Sequence, residues 1–214
     1  MKRAIVFLNG NLSNVAQAKK IITKADYIIG VDGGTEYAVK SGFIPHIIIG
    51  DFDSLPQPFR KKLSKYSIKK IKYPQKKDKT DFELAVDFAL EKKFRHMIIF
   101  GLLGNRIDHL LANMFFLKKV FTQNTSLKIE IIEGNHKAFF TDREITIKGS
   151  VGDIVSLIPF DDSIRDIKLY GLEYVLDGKL LVHGSTQGIS NVMTKKVAKI
   201  TIKKGVMLVI HQYS

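Results

Sequence analysis

The stretch that decides the fold is residues 27–54, YIIGVDGGTEYAVKSGFIPHIIIGDFDS. Two apolar, β-branched runs, YIIGV (27–31) and HIIIG (46–50), enclose a segment of helical period from Thr35 to Lys40. A strand, a helix and a second strand at this spacing are typical of a βαβ unit, in which the two strands run parallel. Each strand is followed by glycine and aspartate. The stretch therefore predicts a parallel sheet with polar loops at one edge.

The same alternation extends in both directions along the chain. Strand-like runs separated by helical segments occur at AIVFL (4–8), IKKIKY (68–73), HMIIFG (96–101) and LKIEII (127–132). After about Gly134 the helical period disappears, and short strand runs separated by turn residues follow. We predict a three-layer α/β/α domain with a mostly parallel sheet over residues 1–134, followed by an all-β sandwich or barrel domain over residues 135–214.

Composition narrows the possible classes of protein. The chain has 214 residues, of which 45% are hydrophobic and 26% charged, and this composition is typical of a globular protein. It contains no cysteine, which excludes disulfide scaffolds and thiolate sites, so any metal must bind oxygen or imidazole. No apolar run is long enough for a membrane span or a signal peptide. We therefore expect a cytoplasmic protein that has no membrane partner.

The net charge of +13 is concentrated between Arg60 and Lys79, where Asp78 is the one acidic residue. Such a segment binds a nucleic-acid backbone, attracts anionic substrates or forms a solvated surface. Lysine predominates over arginine in this chain, whereas bidentate recognition of phosphates and bases favours arginine. We therefore expect no nucleic-acid partner.

Polar, glycine-containing loops follow four of the predicted strands. In open parallel sheets ligands bind beyond the carboxyl ends of the strands, where such loops converge. Turn formation alone explains any one of these loops, but four of them at one edge favour a ligand site. The four loops are Asn9-Gly10-Asn11, Asp32-Gly33-Gly34, Gly50 to Ser54, and Gly101 to Asp108.

Asp51 and Asp53 form the sharpest of these patterns. Alternate residues of an extended segment point the same way, so the two carboxylates can share one hard divalent cation such as Mg²⁺. A solvated turn is the structural alternative. Phosphatases of the haloacid-dehalogenase type and several glycosyltransferases also place such a pair after a strand, so the pattern alone does not identify a reaction.

A second cluster, Asp78 to Glu83, precedes a helix that begins with Phe82 as its first apolar residue. Thr80 and Glu83 have the spacing of a capping box. This structural role leaves Asp78 and Lys79 unexplained, and a helix start beside a lysine and a threonine also binds phosphate. The two interpretations are compatible.

The third cluster, Gly101 to His109, opens a further helix. Its apolar period predicts that Arg106 and Asp108 face away from the core, with Arg106 available to bind phosphate oxygens. In the β domain, Gly184 to Asn191 reads as a hairpin turn. We predict that the buried helix face comprises Ile107, Leu110, Leu111, Met114 and Phe115, and that Phe160, Tyr170 and Tyr174 are core or sheet-face aromatics.

Taken together and in this order, NGN, DGG, GDFDS, KTDFE and GNRIDH, followed by GISN in the β domain, resemble the thiamine pyrophosphokinase family over essentially the whole chain. The resemblance implies a catalytic N-terminal domain and a thiamine-binding β domain. It also implies a homodimer whose active sites lie in clefts between domains of partner subunits. The implied reaction transfers the pyrophosphoryl group of ATP to thiamine, giving thiamine diphosphate and AMP.

The resemblance also implies roles for individual residues, with Mg²⁺ as the cofactor. Asp51, Asp53, Asp81 and Asp108 are the candidate catalytic residues, and Asp81 and Asp108 are alternatives for the proton acceptor. No thiamine contact is assigned to Lys77, because some family members carry glutamine there. The implied metal ligands are Asp32, Asp51, Asp53 and Asp81; the implied phosphate-binding residues are Asn9, Gly33, Lys79, Thr80 and Arg106; and the implied thiamine-binding residues are Ser190 and Asn191.

Two other functions remain as alternatives at this point. A metal-dependent phosphatase would form a covalent aspartyl-phosphate at Asp51, although here the acidic pair follows the third strand rather than the first. A non-catalytic RNA-binding module would use the basic segment from Arg60 to Lys79, and its binding would weaken as salt rises.

Overall fold

The computed structural model describes residues 3–10, 15–50, 56–72, 78–104, 106–176 and 178–213. The chain forms two compact units, Met1–Gly134 and Asn135–Ser214. Among the described residues, no helix combines the length and the apolarity that a membrane span requires.

The first unit is built on six parallel strands. Their spatial order is β6-β5-β1-β2-β3-β4. The side chains of β1, β3 and most of β2 and β5 are buried, because their sequences are almost continuously apolar. The prediction of a mostly parallel sheet is thereby confirmed. The strands are β1 (Ala4–Phe7), β2 (Tyr27–Val31), β3 (Ile47–Gly50), β4 (Lys69–Lys72), β5 (His96–Phe100) and β6 (Lys128–Glu133).

Helices alternate with these strands. The longest, α5, was expected to bury its N-terminal apolar residues, and this prediction is wrong. Its buried residues are Asn113, Leu117, Val120 and Phe121. Ile107, Leu111 and Phe115, here called the α5 stripe, are 72%, 53% and 57% exposed. The helices are α1 (Val15–Ile21), α2 (Gly34–Lys40), α3 (Gln57–Leu63), α4 (Asp81–Glu91) and α5 (Ile107–Gln123).

The reason for this difference is that α5 carries apolar residues on two faces. Helical period shows which side chains share a face, but it does not show which face the rest of the unit covers. Leu110 and Met114 are half-buried, so they lie between the two faces.

Part of the basic segment has a structural explanation. β4 lies at the end of the strand order, and its residues Lys69, Lys70 and Lys72 are exposed. An edge strand presents unpaired backbone groups, and lysines there discourage pairing with other chains. Residues 73–77, which include Lys77, lie outside the described part of the chain.

The second unit consists of antiparallel strands in two groups, β12-β9-β14-β7 and β11-β10-β13-β8. Its core joins residues of both groups, among them Leu157, Ile164 and Ile200. This arrangement confirms the predicted β fold. The strands are β7 (His136–Thr141), β8 (Ile145–Lys148), β9 (Ile154–Pro159), β10 (Ser163–Tyr170), β11 (Lys179–Val182), β12 (Asn191–Val192), β13 (Val197–Thr201) and β14 (Met207–Gln212).

Candidate active site

The loops after β1, β2 and β5 meet at the carboxyl edge of the sheet, beside the end of β3. After β1 and β5, the backbone N–H of Gly10 donates to the carbonyl of Gly101 at 2.9 Å. After β2, the N–H of Asp32 donates to the carbonyl of Ile49 in β3 at 3.0 Å. These bonds bring together the loops that the sequence singled out, at the position where open parallel sheets bind ligands.

Asn9 and Gly33 meet within this group of loops. A Cβ built on Gly33 would lie 2.3 Å from Oδ1 of Asn9, so the amide of Asn9 occupies the space that any larger residue at position 33 would need. Gly33 thus allows the Asn9 amide to pack directly against the backbone, beyond its role as a turn former.

Asp32 has an unusual backbone conformation and a defined neighbour. Its φ is +44°, in the left-handed region that non-glycine residues seldom adopt. A Cβ built on Gly50 would lie 1.6 Å from Oδ1 of Asp32, so this carboxylate rests directly against the end of β3. Strained residues of this kind cluster at functional sites. The carboxylate of Asp32 thus lies beside the residue that immediately precedes Asp51 in the sequence.

Asp51 and Asp53 themselves lie outside the described residues, as does Asn105. The described part of the chain, which omits both aspartates, contains no group of three or more His, Cys, Asp or Glu side chains arranged for a metal. The donor set of the predicted metal site consists of carboxylate oxygens, which are the ligands that Mg²⁺ prefers. Of the four predicted ligands, Asp32 and Asp81 lie in the described part of the chain, Asp32 beside Gly50 and Asp81 at the start of α4.

The capping box predicted at α4 is confirmed. The backbone N–H of Glu83 donates to Oγ1 of Thr80 at 3.2 Å, and the N–H of Thr80 donates to the Glu83 carboxylate at 3.1 Å. Asp81 is the first residue of the helix and is half-buried. Nζ of Lys79 lies 2.6 Å from Oδ2 of Asp87, so the lysine is already paired with a carboxylate of α4. Thr80 therefore has a structural role whatever else it binds.

Arg106 and Asp108 form an exposed ion pair at the start of α5. The guanidinium donates from Nη2 to Oδ2 at 2.5 Å and from Nε to Oδ1 at 3.2 Å. The hydrogen bonds from Arg106 lower the pKa of Asp108 from 3.8 to about 2, and the neighbouring His109 contributes to the shift. Asp108 is thus a weak base while this pair persists.

Replacing Arg106 with glutamine is expected to raise the pKa of Asp108 from about 2 towards 3.8, because the charged donor is removed. An NMR pH titration of the Asp108 carboxyl carbon measures this change. A pKa that stays near 2 in the variant would show that Arg106 does not cause the shift.

Ser190 and Asn191 lie at the start of β12 in the second unit. Asn191 is 3% exposed, and its amide is used within the protein: Oδ1 accepts the N–H of Tyr174 at 2.9 Å, and Nδ2 donates to the Tyr174 carbonyl at 2.8 Å. Ser190 is exposed and has a φ of +58°. The assignment of both residues to thiamine stays a prediction, and the geometry gives Asn191 a supporting position.

Tyr174 was predicted to be a core or sheet-face aromatic, and this prediction is wrong. Its side chain is 59% exposed, and it lies in the loop between β10 and β11 rather than in the core. Tyr170 is exposed on β10, whereas Phe160 is half-buried and packs edge-to-face on Phe140. The position of Tyr174 between Gly171 and Gly178 indicates a turn, and this signal was available in the sequence.

Comparison with known proteins adds independent support. A model of the thiamin pyrophosphokinase catalytic domain matches residues 18–131, and a model of the thiamin pyrophosphokinase vitamin B1 binding domain matches residues 142–207. Thiamine pyrophosphokinase of Bacillus subtilis is 36% identical over 85% of both chains. Thiamin pyrophosphokinase 1 of Caenorhabditis elegans is 26% identical over 88% of this chain and 81% of its own.

Solved structures agree with the sequence comparisons. A crystal structure of thiamine pyrophosphokinase from Bacillus subtilis superposes with a TM-score of 0.90 at 30% identity, covering all of both chains. A thiamin pyrophosphokinase from Geobacillus thermodenitrificans gives 0.84 at 28% identity, covering 100% of this chain and 98% of its own. The chain therefore belongs to the thiamine pyrophosphokinase family of enzymes.

Proposed function

We propose that the chain binds ATP and Mg²⁺ and transfers the pyrophosphoryl group of ATP to the hydroxyethyl oxygen of thiamine, releasing AMP. The observation that carries this proposal is the position of the Asp32 carboxylate. It rests against Gly50 at the carboxyl edge of the sheet, within the region matched by the catalytic-domain model. An acidic group at that place fits a site that handles a polyphosphate through a divalent cation.

The proposed ligands of Mg²⁺ are Asp32, Asp51, Asp53 and Asp81. Asp51 follows Gly50 directly in the sequence, and the Asp32 carboxylate beside Gly50 supports a shared site. When bound, the cation supplies charge neutralisation to the phosphate oxygens. The remaining contribution of the protein is placement of the two substrates, because in-line phosphoryl transfer depends mainly on positioning and electrostatics.

Lys79 and Arg106 are the proposed cationic contacts to the phosphates, with Asn9, Gly33 and Thr80 bordering them. Each cation is paired with a carboxylate, Lys79 with Asp87 and Arg106 with Asp108. Binding of a phosphate would therefore exchange one anionic partner for another. Such an exchange costs less side-chain entropy than ordering an unpaired cation, because both side chains are already held by a carboxylate.

Asp81 is the better candidate for the proton acceptor. A general base works best when its pKa lies near the working pH, and Arg106 holds the pKa of Asp108 at about 2. Asp81 begins α4 next to Thr80. We therefore assign to Asp108 a role in orienting Arg106; Asp81 is the alternative proton acceptor, in a state in which it does not bind Mg²⁺.

The proposed thiamine site lies at Ser190, Asn191 and Tyr174 of the second unit. Asn191 fixes the backbone of Tyr174 with two hydrogen bonds, and the Tyr174 ring is left exposed beside it. Thiamine carries a positively charged ring, which an aromatic face attracts. In this proposal Asn191 holds the loop and Tyr174 contacts the substrate.

Replacing Tyr174 with alanine is expected to raise the KM for thiamine roughly tenfold while the KM for ATP stays constant, because a desolvated cation–π contact contributes about 1–2 kcal/mol. Steady-state kinetics with each substrate varied in turn measures the split. Tyr170→Ala is the matched control, since Tyr170 is similarly exposed in the same unit but contacts Lys195. Equal KM values for thiamine in Tyr174→Ala and the wild type would show that Tyr174 does not contact thiamine.

We further propose that the protein is a homodimer and that the α5 stripe contributes to its interface. Three large apolar side chains at a spacing of four residues form one exposed line on the helix. Exposed apolar patches of this kind mark interaction surfaces.

Leu111→Glu is therefore expected to shift the protein from dimer to monomer in sedimentation or light-scattering measurements, because a charge would be buried without a partner. Ala112→Glu is the control, since Ala112 is exposed on the same helix but lies off the stripe. A dimer that persists in Leu111→Glu, or a wild-type monomer, would contradict this interface.

The test of the proposed function is incubation with Mg²⁺, ATP and thiamine, with the nucleotide product identified. AMP that forms only when thiamine is present supports the proposal. Release of inorganic phosphate without an acceptor would indicate a phosphatase instead. Salt-sensitive retention on RNA without any AMP would indicate an RNA-binding module.

A further inference from the structure

The second unit contains a buried histidine–aspartate pair. Nε2 of His211 in β14 lies 2.8 Å from Oδ2 of Asp153, and the two side chains are 3% and 2% exposed. The same Oδ2 accepts the backbone N–H of Ser150 at 3.0 Å. An ionised carboxylate only accepts hydrogen bonds, so with Asp153 ionised we assign to His211 the tautomer whose Nε2–H donates to this oxygen. Burying such a pair seldom adds net stability, so a specific structural role is the better explanation.

Asp153 connects this pair to β12 through its backbone. Its carbonyl accepts the N–H of Met193 at 2.8 Å, immediately after the last residue of β12. β12 itself pairs with β9 at two positions, Asn191 opposite Val155 and Val192 opposite Ile154. A strand this short has few bonds to set its register. Asp153 therefore provides one of the hydrogen bonds that fix β12, beside those from Glu173 to Val192 and from Gly152 to Met193.

In the register of the sheet, His211 and Asn191 lie opposite the same residue of β9, one on each side of that strand. Val155 lies opposite Asn191 on one side and opposite His211 on the other. Residues opposite each other on neighbouring strands have side chains on the same face, and all three are buried here. With strands about 4.8 Å apart, His211 and Asn191 are separated by about 10 Å, with Val155 between them. Packing and hydrogen bonds thus link the pair to Asn191 by two routes.

Asn191 connects the buried pair to exposed residues. Its amide makes both hydrogen bonds to the backbone of Tyr174, and Ser190 precedes it with its N–H donating to Oγ of Ser156 at 3.0 Å. A shift of β12 would therefore move Ser190 and Tyr174 together.

We propose that His211 and Asp153 are positioning residues for thiamine: their buried hydrogen bond fixes β12 and thereby sets the placement of Ser190, Asn191 and Tyr174. This inference rests on the proposed thiamine site. Neither residue touches the substrate. Their loss should weaken the binding of thiamine more than it affects the binding of ATP or the chemical step.

The test compares His211→Leu, which removes the N–H donor, with His211→Gln, which retains one. At a temperature well below the Tm of each variant, His211→Leu is expected to raise the KM for thiamine roughly tenfold, with the KM for ATP and kcat changed less than about twofold. His211→Gln is expected to restore the KM for thiamine to within about threefold of wild type. If His211→Leu does not fold, the same comparison is made between Asp153→Ala, which removes the acceptor, and Asp153→Asn, which retains one.

Thr141→Val is the matched control for lost stability. Thr141 is 3% exposed, its hydroxyl donates to the carbonyl of Arg143 at 3.0 Å, and it lies opposite Met207 at the other end of β14. This variant is expected to lower the Tm and leave the KM for thiamine unchanged.

Three results would overturn the inference: an unchanged KM for thiamine in His211→Leu, an equal rise in the KM for ATP, or the same selective rise in Thr141→Val. If the wild type forms no AMP with thiamine, the proposed function fails, and the inference fails with it. If the wild type is active but the selective rise is missing, the inference alone is wrong.

Discussion

Replacing Asp32 with asparagine is expected to lower the rate of AMP formation by about 10²- to 10³-fold, which is the typical loss when one preorganised electrostatic group is removed. The substitution is nearly isosteric, and asparagine tolerates the left-handed backbone at this position, where φ is +44°. The Tm is therefore expected to stay constant. Turnover and thermal unfolding of the same preparation measure both quantities, and the loss should appear in kcat/KM for ATP.

Asp166→Asn is the matched control for this prediction. Asp166 is also an aspartate with positive φ, at +53°, but it is exposed in the second unit and pairs with Lys203 at 3.5 Å. It should lose neither activity nor stability. Turnover of Asp32→Asn within threefold of wild type would contradict any role of this carboxylate at the phosphates or the metal.

The elements that could be predicted from the sequence are those encoded by local pattern. The parallel strands follow from apolar runs of fixed length, and the capping box at Thr80 and Glu83 follows from a spacing of three residues. The convergence of the loops around Asn9, Asp32 and Gly50 follows from topology, because the carboxyl ends of parallel strands share one edge.

The features that could not be predicted depend on contacts between distant parts of the chain. The exposure of the α5 stripe depends on which face of the helix the rest of the unit covers. Asn191 and Tyr174 are separated by 17 residues, and Asp153 and His211 by 58. No local period connects such pairs, so Asn191 could be assigned a role only from its motif, and His211 could be assigned none. Tertiary packing determines the positions of both residues.

Replacing Gly50 with alanine is expected to lower turnover at least about 10²-fold and to destabilise the protein by about 1–3 kcal/mol. Two causes act together. Its φ of +135° is a conformation that alanine seldom adopts, and the added Cβ would lie 1.6 Å from Oδ1 of Asp32. The carboxylate must then rotate away from the end of β3. The loss of activity should therefore exceed what the loss of stability explains, as measured by kcat at a temperature where the variant remains folded.

Gly42→Ala separates the two causes. Gly42 also has positive φ, at +87°, but its Cβ would meet nothing closer than Cε of Lys19 at 3.9 Å. This variant carries the backbone strain without the collision, so its Tm should fall while its kcat stays near that of wild type. If Gly50→Ala and Gly42→Ala lose activity equally, backbone strain alone accounts for the effect. The contact between Gly50 and Asp32 would then have no part in catalysis, because displacing the carboxylate would have cost nothing beyond the strain that both variants share.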